Sequence, residues 1–579
     1  MNLERSFERA RRCSIAKASA VVVLSLASTL ALAQQAPDAG QILQQQRQPL
    51  RLPPPAEPVL PKVPEPAPAL PVAPQLRVMV KQFTFTGNTI YSEEQLKQVT
   101  NEFLNKELDF DGLNDAATAV RVYYRSHGYF LAQAYLPQQV IRNGVVQIGV
   151  IEGRIGEVSI DPKPGVRISE GLLAGIVATH LKTGQIITET GLERPLLLIN
   201  DLPGAGVTSE IRPSRTIGSA DLRVNVDQDP ETFTGYVDAD NNGNRFTGEY
   251  RLGTNLNWNT PLHYGDQATF RGFVTDEGMW FTRFAYLVPV GYYGTRLGVS
   301  YTGFDYRLTK DFASLRANGE GEVKSIYGFH PIVRTRNSNL IAQMTYEDTH
   351  LVDRVDSTGS VEERKISAWK VGAVGDFRDG FLSGGLNAYA LTYTMGNLGI
   401  FPASVLAADQ APSTGHNTYG GFNKANVDGR RLQRVNDSTS FLLAFSGQYA
   451  SKNLASAEKI SLGGPNGVRG YPVGEATADD GIIVTGELRY IVPGFKPLGG
   501  DFTVAGLVDW GKAKLNHDPL PSDTENYREL SSYGFGLSAG REGDFILRAS
   551  IAWRWTESLP QSDSAPRNPR VWVQGVKWF

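Results

Sequence analysis

Cysteine is almost missing: the 579 residues contain one, Cys13. It lies in an N-terminal stretch that reads as a secretory signal, so the mature chain is expected to hold no thiol. That excludes disulfides and thiolate metal sites. Histidine is sparse as well. His127, His180, His263, His330, His350, His416 and His517 are scattered and form no His-x-x-x-His pair. No zinc site and no histidine-based catalytic set is therefore expected. Charge of one sign is also lacking, with 57 basic against 60 acidic residues. This removes the basic excess of a nucleic-acid binder. Beyond the N-terminal stretch no run reaches the roughly 18 apolar residues of a membrane-spanning helix. A chain of this kind can cross a membrane only as a closed barrel, the other structure that pairs every backbone group in lipid. Glycine (60) and aromatics (10%) are abundant, which suits strands joined by turns.

The N-terminus opens with Arg5, Arg9, Arg11, Arg12 and Lys17, then runs through small residues, valines and leucines from Ala18 to Ala31. Ala31-Leu32-Ala33 is a small-x-small cleavage site, so residues 1–33 are expected to be a signal peptide. Removing its five basic and two acidic residues takes the formal charge from −3 to −6. Residues 34–51 are polar and glutamine-rich, with Gln41–Gln48 a short candidate helix. Residues 52–75 carry ten prolines between Pro53 and Pro74. Such a run excludes helix and central strand and acts as an extended spacer.

Residues 76–152 predict a β-α-α-β-β unit. Val78–Phe85 is its first strand, and Ser92-Glu93-Glu94 opens the first helix, with acidic residues where the helix dipole favours them. A second helix over Gly112–Ser126 puts Leu113, Ala116, Ala117, Val120 and Tyr124 on one face. Strands Tyr129–Leu136 and Val145–Glu152 follow, joined through Asn143-Gly144. Residues 153–228 repeat that order. They predict a strand Ile155–Ile160, helices Ser169–His180 and Leu192–Leu202, and strands Gly206–Pro213 and Ala220–Asp227. Pro195 is expected in the first turn of its helix, where proline is tolerated. The chain thus reads as two tandem copies of one small module.

Residues 229–579 change character. Segments of about ten residues alternate apolar and polar between Gly, Asn and Asp turns, the pattern of a membrane β-barrel. Phe545, Leu547, Ala549, Ile551, Trp553 and Trp555 fall on one face, and Arg548, Ser550 and Arg554 on the other. A soluble sandwich shares the period of two and stays open at this point. About sixteen antiparallel strands fit the length, an even number as in bacterial barrels. The chain ends on Phe579, as strands inserted into outer membranes commonly do, although Lys577 occupies a place where an aromatic is usual.

Two strings imitate catalytic motifs. Gly463-Gly464-Pro465-Asn466-Gly467-Val468-Arg469-Gly470-Tyr471 is glycine-rich, but no Lys-Ser/Thr follows and no helix opens, so it is no phosphate loop. Gly536-Leu537-Ser538-Ala539-Gly540 matches a hydrolase elbow as a string, yet lacks the helix that the elbow needs.

Val468-Arg469-Gly470-Tyr471, in a long loop before the fifth strand from the end, resembles the sixth extracellular loop of two-partner secretion transporters of the TpsB, haemolysin secretion/activation type. These belong to the BamA-like superfamily. Gly128-Tyr129-Phe130 with Ala134-Tyr135-Leu136-Pro137, Asn200-Asp201-Leu202-Pro203-Gly204, and Val508-Asp509-Trp510-Gly511 agree with it. The resemblance implies α+β periplasmic POTRA domains (76–152 and 153–228) followed by an all-β transmembrane barrel in the bacterial outer membrane. It implies that the loop folds into the lumen and that Arg469 pairs with Asp509. It also implies an unfolded client docking by strand addition on a POTRA edge, for which Gly206, Val207, Thr208, Ser209, Glu210 and Ile211 are the candidates. Residues 34–51 would plug the pore. The implied partners are a secreted client (a large β-helical adhesin or haemolysin), outer-membrane lipid and the barrel-assembly machinery, with no nucleic acid, cofactor, metal or catalytic residue. A barrel-assembly factor is the alternative. A passive porin leaves residues 76–228 without a role.

Overall fold

The computed structural model describes residues 36–46, 50, 77–228 and 231–579, apart from 522, 524, 557, 564 and 566. The expected signal (1–33), the spacer (52–75) and Cys13 lie outside the described residues. A short helix α1 spans Ala39–Gln45 and is capped by the Asp38 carboxylate, which accepts the Gln41 N–H.

The first module contains β1 Val78–Met79, β2 Gln82–Thr86, helix α2 Glu93–Val99, β3 Glu107–Leu108, helix α3 Phe110–Ser126, β4 Gln133–Tyr135 and β5 Val145–Ile151. Ser92 and Gln95 form a reciprocal capping box on α2. The five apolar residues predicted on one face of α3 are its buried residues, and they pack on Phe83, Val146 and Ile148 of the sheet. That sheet has the order β2-β5-β4, with β2 parallel to β5. Asn143 and Gly144 both take positive φ (55° and 74°), as a tight hairpin turn requires. The strand predicted over Tyr129–Leu136 shrinks to β4. The Tyr129 N–H instead closes the end of α3 on the Tyr124 carbonyl, and Tyr129 and Ala132 form a turn.

The second module contains β6 Arg154–Pro162, helices α4 Glu170–His180 and α5 Glu189–Asn200, β7 Ala205–Pro213 and β8 Ser219–Gln228, with sheet order β6-β8-β7. Pro195 is not in the first turn of its helix but well inside it. Thr188 caps the helix a turn earlier than predicted, accepting the Gly191 N–H at 3.1 Å. Proline without an N–H is tolerated there because the surrounding leucines are buried in the module core.

Sixteen antiparallel strands then close into one barrel. They are β9 Phe233–Asp240, β10 Arg251–Asn259, β11 Gln267–Thr275, β12 Trp280–Val290, β13 Thr295–Arg307, β14 Ala317–Arg334, β15 Ser338–Val355, β16 Ser360–Asp379, β17 Gly385–Phe401, β18 Gly420–Arg434 and β19 Thr439–Ala450. After two short strands in a loop, β20 Ile460–Ser461 and β21 Thr477–Ala478, come β22 Asp480–Ile491, β23 Asp501–Lys514, β24 Tyr527–Arg541, β25 Phe545–Arg554 and β26 Arg570–Trp578. β26 pairs with β9, and Phe579 and Gly235 exchange two backbone hydrogen bonds at the seam. Gly536–Gly540 lies within β24, with no helix after it. A seven-residue helix, α6 Ala403–Asp409, sits in the loop after β17 and has no counterpart in the sequence reading.

The barrel wall is turned inside out relative to a soluble core. Tyr533, Phe535 and Leu537 on β24 and Val571 and Val573 on β26 face outward and are exposed, as the lipid-facing positions of a barrel are. On β16 the outward face changes along the strand, from Glu363 and Lys365 to Trp369 and Val371. On β14 it changes from Glu320, Glu322 and Lys324 to Ile326. At 18 to 20 residues, β14, β15 and β16 exceed the roughly ten residues that a tilted strand needs to cross lipid. Their charged ends therefore stand above the membrane, where Arg354 pairs with Glu320 at 2.6 Å.

Candidate functional site

The loop between β19 and β22 turns back into the lumen rather than out to solvent. Val468 and Tyr471 at its tip are fully buried against Leu462, Ile483, Ala513 and Leu530. Glycine is required where this loop touches backbone. A Cβ on Gly467 would lie 2.1 Å from the Leu462 carbonyl oxygen, and one on Gly463 would lie 2.3 Å from that of Pro472. A Cβ on Gly470 would lie 2.8 Å from the Ser532 Cβ on β24. Gly463 and Gly467 thus let the loop fold tightly on itself, and Gly470 lets its tip lie against the barrel wall.

Arg469 reaches Asp509 of β23. Its Nε donates to Oδ2 at 2.9 Å and its Nη2 to Oδ1 at 2.6 Å, a bidentate fork. The Arg469 backbone N–H and the Ser532 hydroxyl also donate to Asp509, at 3.1 and 3.0 Å. Asp509 has no exposed surface. The alternation of β23 produces this, with Val508 outward and half exposed while its neighbour Asp509 points in. The register places Asp509 between Thr485 on β22 and Ser532 on β24.

Three further groups complete the anchor, and the sequence reading missed them. Glu487 on β22 takes the third arm of the fork, Nη1 donating at 2.6 Å, and is itself held by Arg489. Trp572 on β26 donates its indole N–H to the Arg469 carbonyl at 2.8 Å. Glu475, fully buried, accepts from Arg528 at 2.7 Å and from the backbone N–H groups of Gln561 and Ser562, which ties the loop to its neighbour after β25. The Tyr471 hydroxyl donates to the Ser558 carbonyl at 3.0 Å in that same neighbour. A signal for Glu487 was present: an acid on the lumen-facing register of the strand that immediately follows the loop. Trp572 broke the rule that barrel aromatics face lipid, so pattern alone would not find it.

The client-binding candidates all lie on β7. Val207, Ser209 and Ile211 point toward the module interior, while Thr208 and Glu210 are exposed. β7 pairs with β8 on one side and is the edge strand of its three-stranded sheet. The Asn200–Gly204 motif serves a different surface, the junction with the barrel. Arg334 at the end of β14 forks onto Asp201, with Nε to Oδ2 at 2.8 Å and Nη2 to Oδ1 at 2.6 Å. Arg194 donates to the carbonyls of Pro331 and Ile332 at 2.8 and 3.0 Å. The Arg336 N–H donates to Glu193, whose carboxyl burial holds above its ordinary range.

At the link between the modules, Glu152 is buried and accepts the N–H groups of Thr89 and Ile90 at 2.6 and 2.8 Å and the hydroxyls of Thr89 and Tyr124. Burial pushes this carboxyl up, and the hydrogen bonds outweigh it, so it sits below the usual carboxylate range.

A family model described as haemolysin secretion/activation protein ShlB/FhaC/HecB matches residues 218–539, more than half of the chain. The chain belongs to this family. A second model, the POTRA domain of ShlB type, matches residues 78–153. The heme/hemopexin transporter protein HuxB of Haemophilus influenzae is 27% identical over 496 residues, 84% of each chain. The outer membrane transporter CdiB of Dickeya dadantii is 24% identical over 513 residues, covering 86% of this chain and 85% of that one. The solved structure of CdiB from Escherichia coli superposes with a TM-score of 0.67 at 20% identity, over 94% of this chain and 96% of that one. As a member of the family, the protein is an outer-membrane transporter with a periplasmic POTRA region. It recognises a secreted protein and passes it to the cell surface, and it is not an enzyme.

Proposed function

We propose that this transporter rests in a closed state held by two elements of its own chain, and that export consists of emptying the lumen and threading the client through it. The carrying observation is that α1 and the loop tip are bound inside the barrel through side chains on at least one partner, with no backbone–backbone hydrogen bond to a barrel strand among the described residues. α1 packs against the loop base at Ser456–Glu458, where the Ser456 hydroxyl donates to Asp38 at 2.7 Å, and Arg364 donates to the same carboxylate at 3.1 Å. Neither element is part of the barrel's strand ladder, so both can leave without opening the wall.

In this reading residues 1–33 direct export and are removed, 34–51 form the plug, and 52–75 space it from the POTRA domains at 76–152 and 153–228. The client arrives unfolded and adds a strand to the open edge of β7, where backbone bonds give affinity. It is a large protein of the β-helical adhesin or haemolysin class, and its folding outside drives transport. The barrel-assembly machinery inserts residues 229–579, and the outward aromatic and aliphatic surface meets outer-membrane lipid. Deleting residues 34–51 should raise single-channel conductance in planar bilayers, and deleting 76–228 should stop client export with the barrel still inserted. Unchanged conductance removes the plug, and continued secretion removes the docking role.

A further inference from the structure

Above the lipid boundary much of the barrel interior is apolar. Phe304 and Tyr306 on β13, Leu351 on β15, Ile366 on β16 and Leu398 and Ile400 on β17 are all buried there. They form a single apolar core with loop residues and with Ala39 and Ile42 of α1. Membrane barrels of this size ordinarily enclose a polar, water-filled lumen. Every other contributor to this core is a barrel strand or a loop between consecutive barrel strands. α1 alone enters from outside the barrel sequence.

The seat of α1 is shaped for small and apolar residues. Ile42 is 1% exposed and Ala39 fully buried. A Cβ on Gly40 would meet the Ser456 Oγ at 2.2 Å and the Ala457 backbone nitrogen at 2.6 Å. Polar groups hold its N-terminal end: the Ala39 N–H donates to Asp353 at 2.8 Å, and Arg364 holds Asp38. When α1 leaves, it uncovers apolar surface that water solvates poorly, together with the hydrogen-bonding positions that it filled on Asp353 and Arg364; Asp353 keeps the Tyr306 hydroxyl and Arg364 keeps Glu362.

We infer that the seat of α1 is a peptide-binding site for an apolar segment with small neighbours, and that successive segments of the secreted protein occupy it once α1 has gone. The inference rests on the plug-and-threading reading above. A strand-forming client carries a side chain to the same face at every second residue, so its extended chain offers an apolar group to Ile42's place repeatedly. Asp353 and Arg364 can bond any backbone N–H and C=O and therefore select no sequence. A client segment seated in the apolar ring fills the space that α1 filled, which keeps ions out while the client slides.

The test uses the full chain with Gly40→Val and Ile42→Asp combined, which vacates the seat, in planar bilayers. The probes are a peptide of residues 36–46, an alternating Val-Thr peptide, and the same Val-Thr peptide with its central valine replaced by aspartate. The vacated channel should conduct more than the native one. The 36–46 and Val-Thr peptides should block it at concentrations at least about tenfold below the aspartate form, and Leu398→Asn in the same background should erase that preference. Ile366→Ala, which keeps the ring apolar but smaller, should weaken the preference by less, and it keeps the test valid should Leu398→Asn not fold. Equal block by the Val-Thr peptide and its aspartate form, or block that ignores both lining variants, overturns the site. A vacated channel that conducts no more than the native one overturns the plug reading instead, and the site with it.

Discussion

Arg469→Ala isolates the loop anchor. The substitution removes a bidentate partner from Asp509, which has no exposed surface, and one partner from Glu487. Deleting one member of a buried ion pair typically costs about 3–5 kcal/mol, because a desolvated charge is left behind. At about 1.4 kcal/mol per tenfold, the docked loop should open roughly 100- to 4,000-fold more often. The assay follows from cysteine scarcity: Cys13 lies in the expected signal, so Val468→Cys introduces the single thiol of the mature chain at a fully buried tip position. Maleimide labelling of that thiol should accelerate by a similar factor in Arg469→Ala, and client export should fall. Arg469→Lys keeps the charge but cannot fork onto Asp509 while reaching Glu487, so it should fall between the two. Labelling that stays at the native rate in Arg469→Ala, or Lys behaving as Arg, would refute the anchor.

Other perturbations probe the remaining contacts. Gly470→Ala forces a Cβ to 2.8 Å from the Ser532 Cβ and should cost about 1–3 kcal/mol of loop docking, read as faster labelling of the Val468→Cys thiol; labelling at the native rate would show the contact to be slack. Glu152 has its carboxyl pKa depressed in the folded state, so its contribution is complete above the ordinary carboxylate pKa of about 4.5 and is lost as pH falls through the lower folded value. The melting transition of the POTRA region should therefore drop between pH 5 and strong acid, and Glu152→Gln should flatten that drop; an equally steep drop in the variant would contradict the assignment. Asp201→Ala should loosen the junction with the barrel by on the order of 1–3 kcal/mol. Limited proteolysis between β8 and β9 should then quicken, and exchanging the charges (Asp201→Arg with Arg334→Asp) should slow it again; cleavage at the native rate in Asp201→Ala would show the fork to be idle.

Much of this was legible in order of periodicity. The helix face from Leu113 to Tyr124 came through intact, since spacing alone decides which side of a helix is apolar. The strand alternation carried the sixteen-strand barrel and the inward aim of Asp509 for the same reason. Boundaries failed where a backbone group had a local competitor, as when the Tyr129 N–H closed α3 rather than joining a strand. Pro195 was misplaced because the burial that tolerates a proline inside a helix is invisible to propensity.

The sequence by itself determined the kind of protein: a single cysteine placed in the expected signal, no long apolar run beyond that signal, two small modules and a barrel whose outward face suits lipid. These follow from composition and from side-chain periods of two and 3.6, which are local properties of the chain. The resemblance named Arg469 and Asp509 as partners, but only the tertiary structure showed that Glu487 joins them. Glu487, Arg469 and Asp509 lie on three segments that neighbour one another only after the loop folds inward and the barrel sets its register. The same holds for the apolar core around Ile42, whose members come from strands far apart in the chain. Which side chains close a lumen is a property of how strands are staggered around it, and no single strand encodes that stagger.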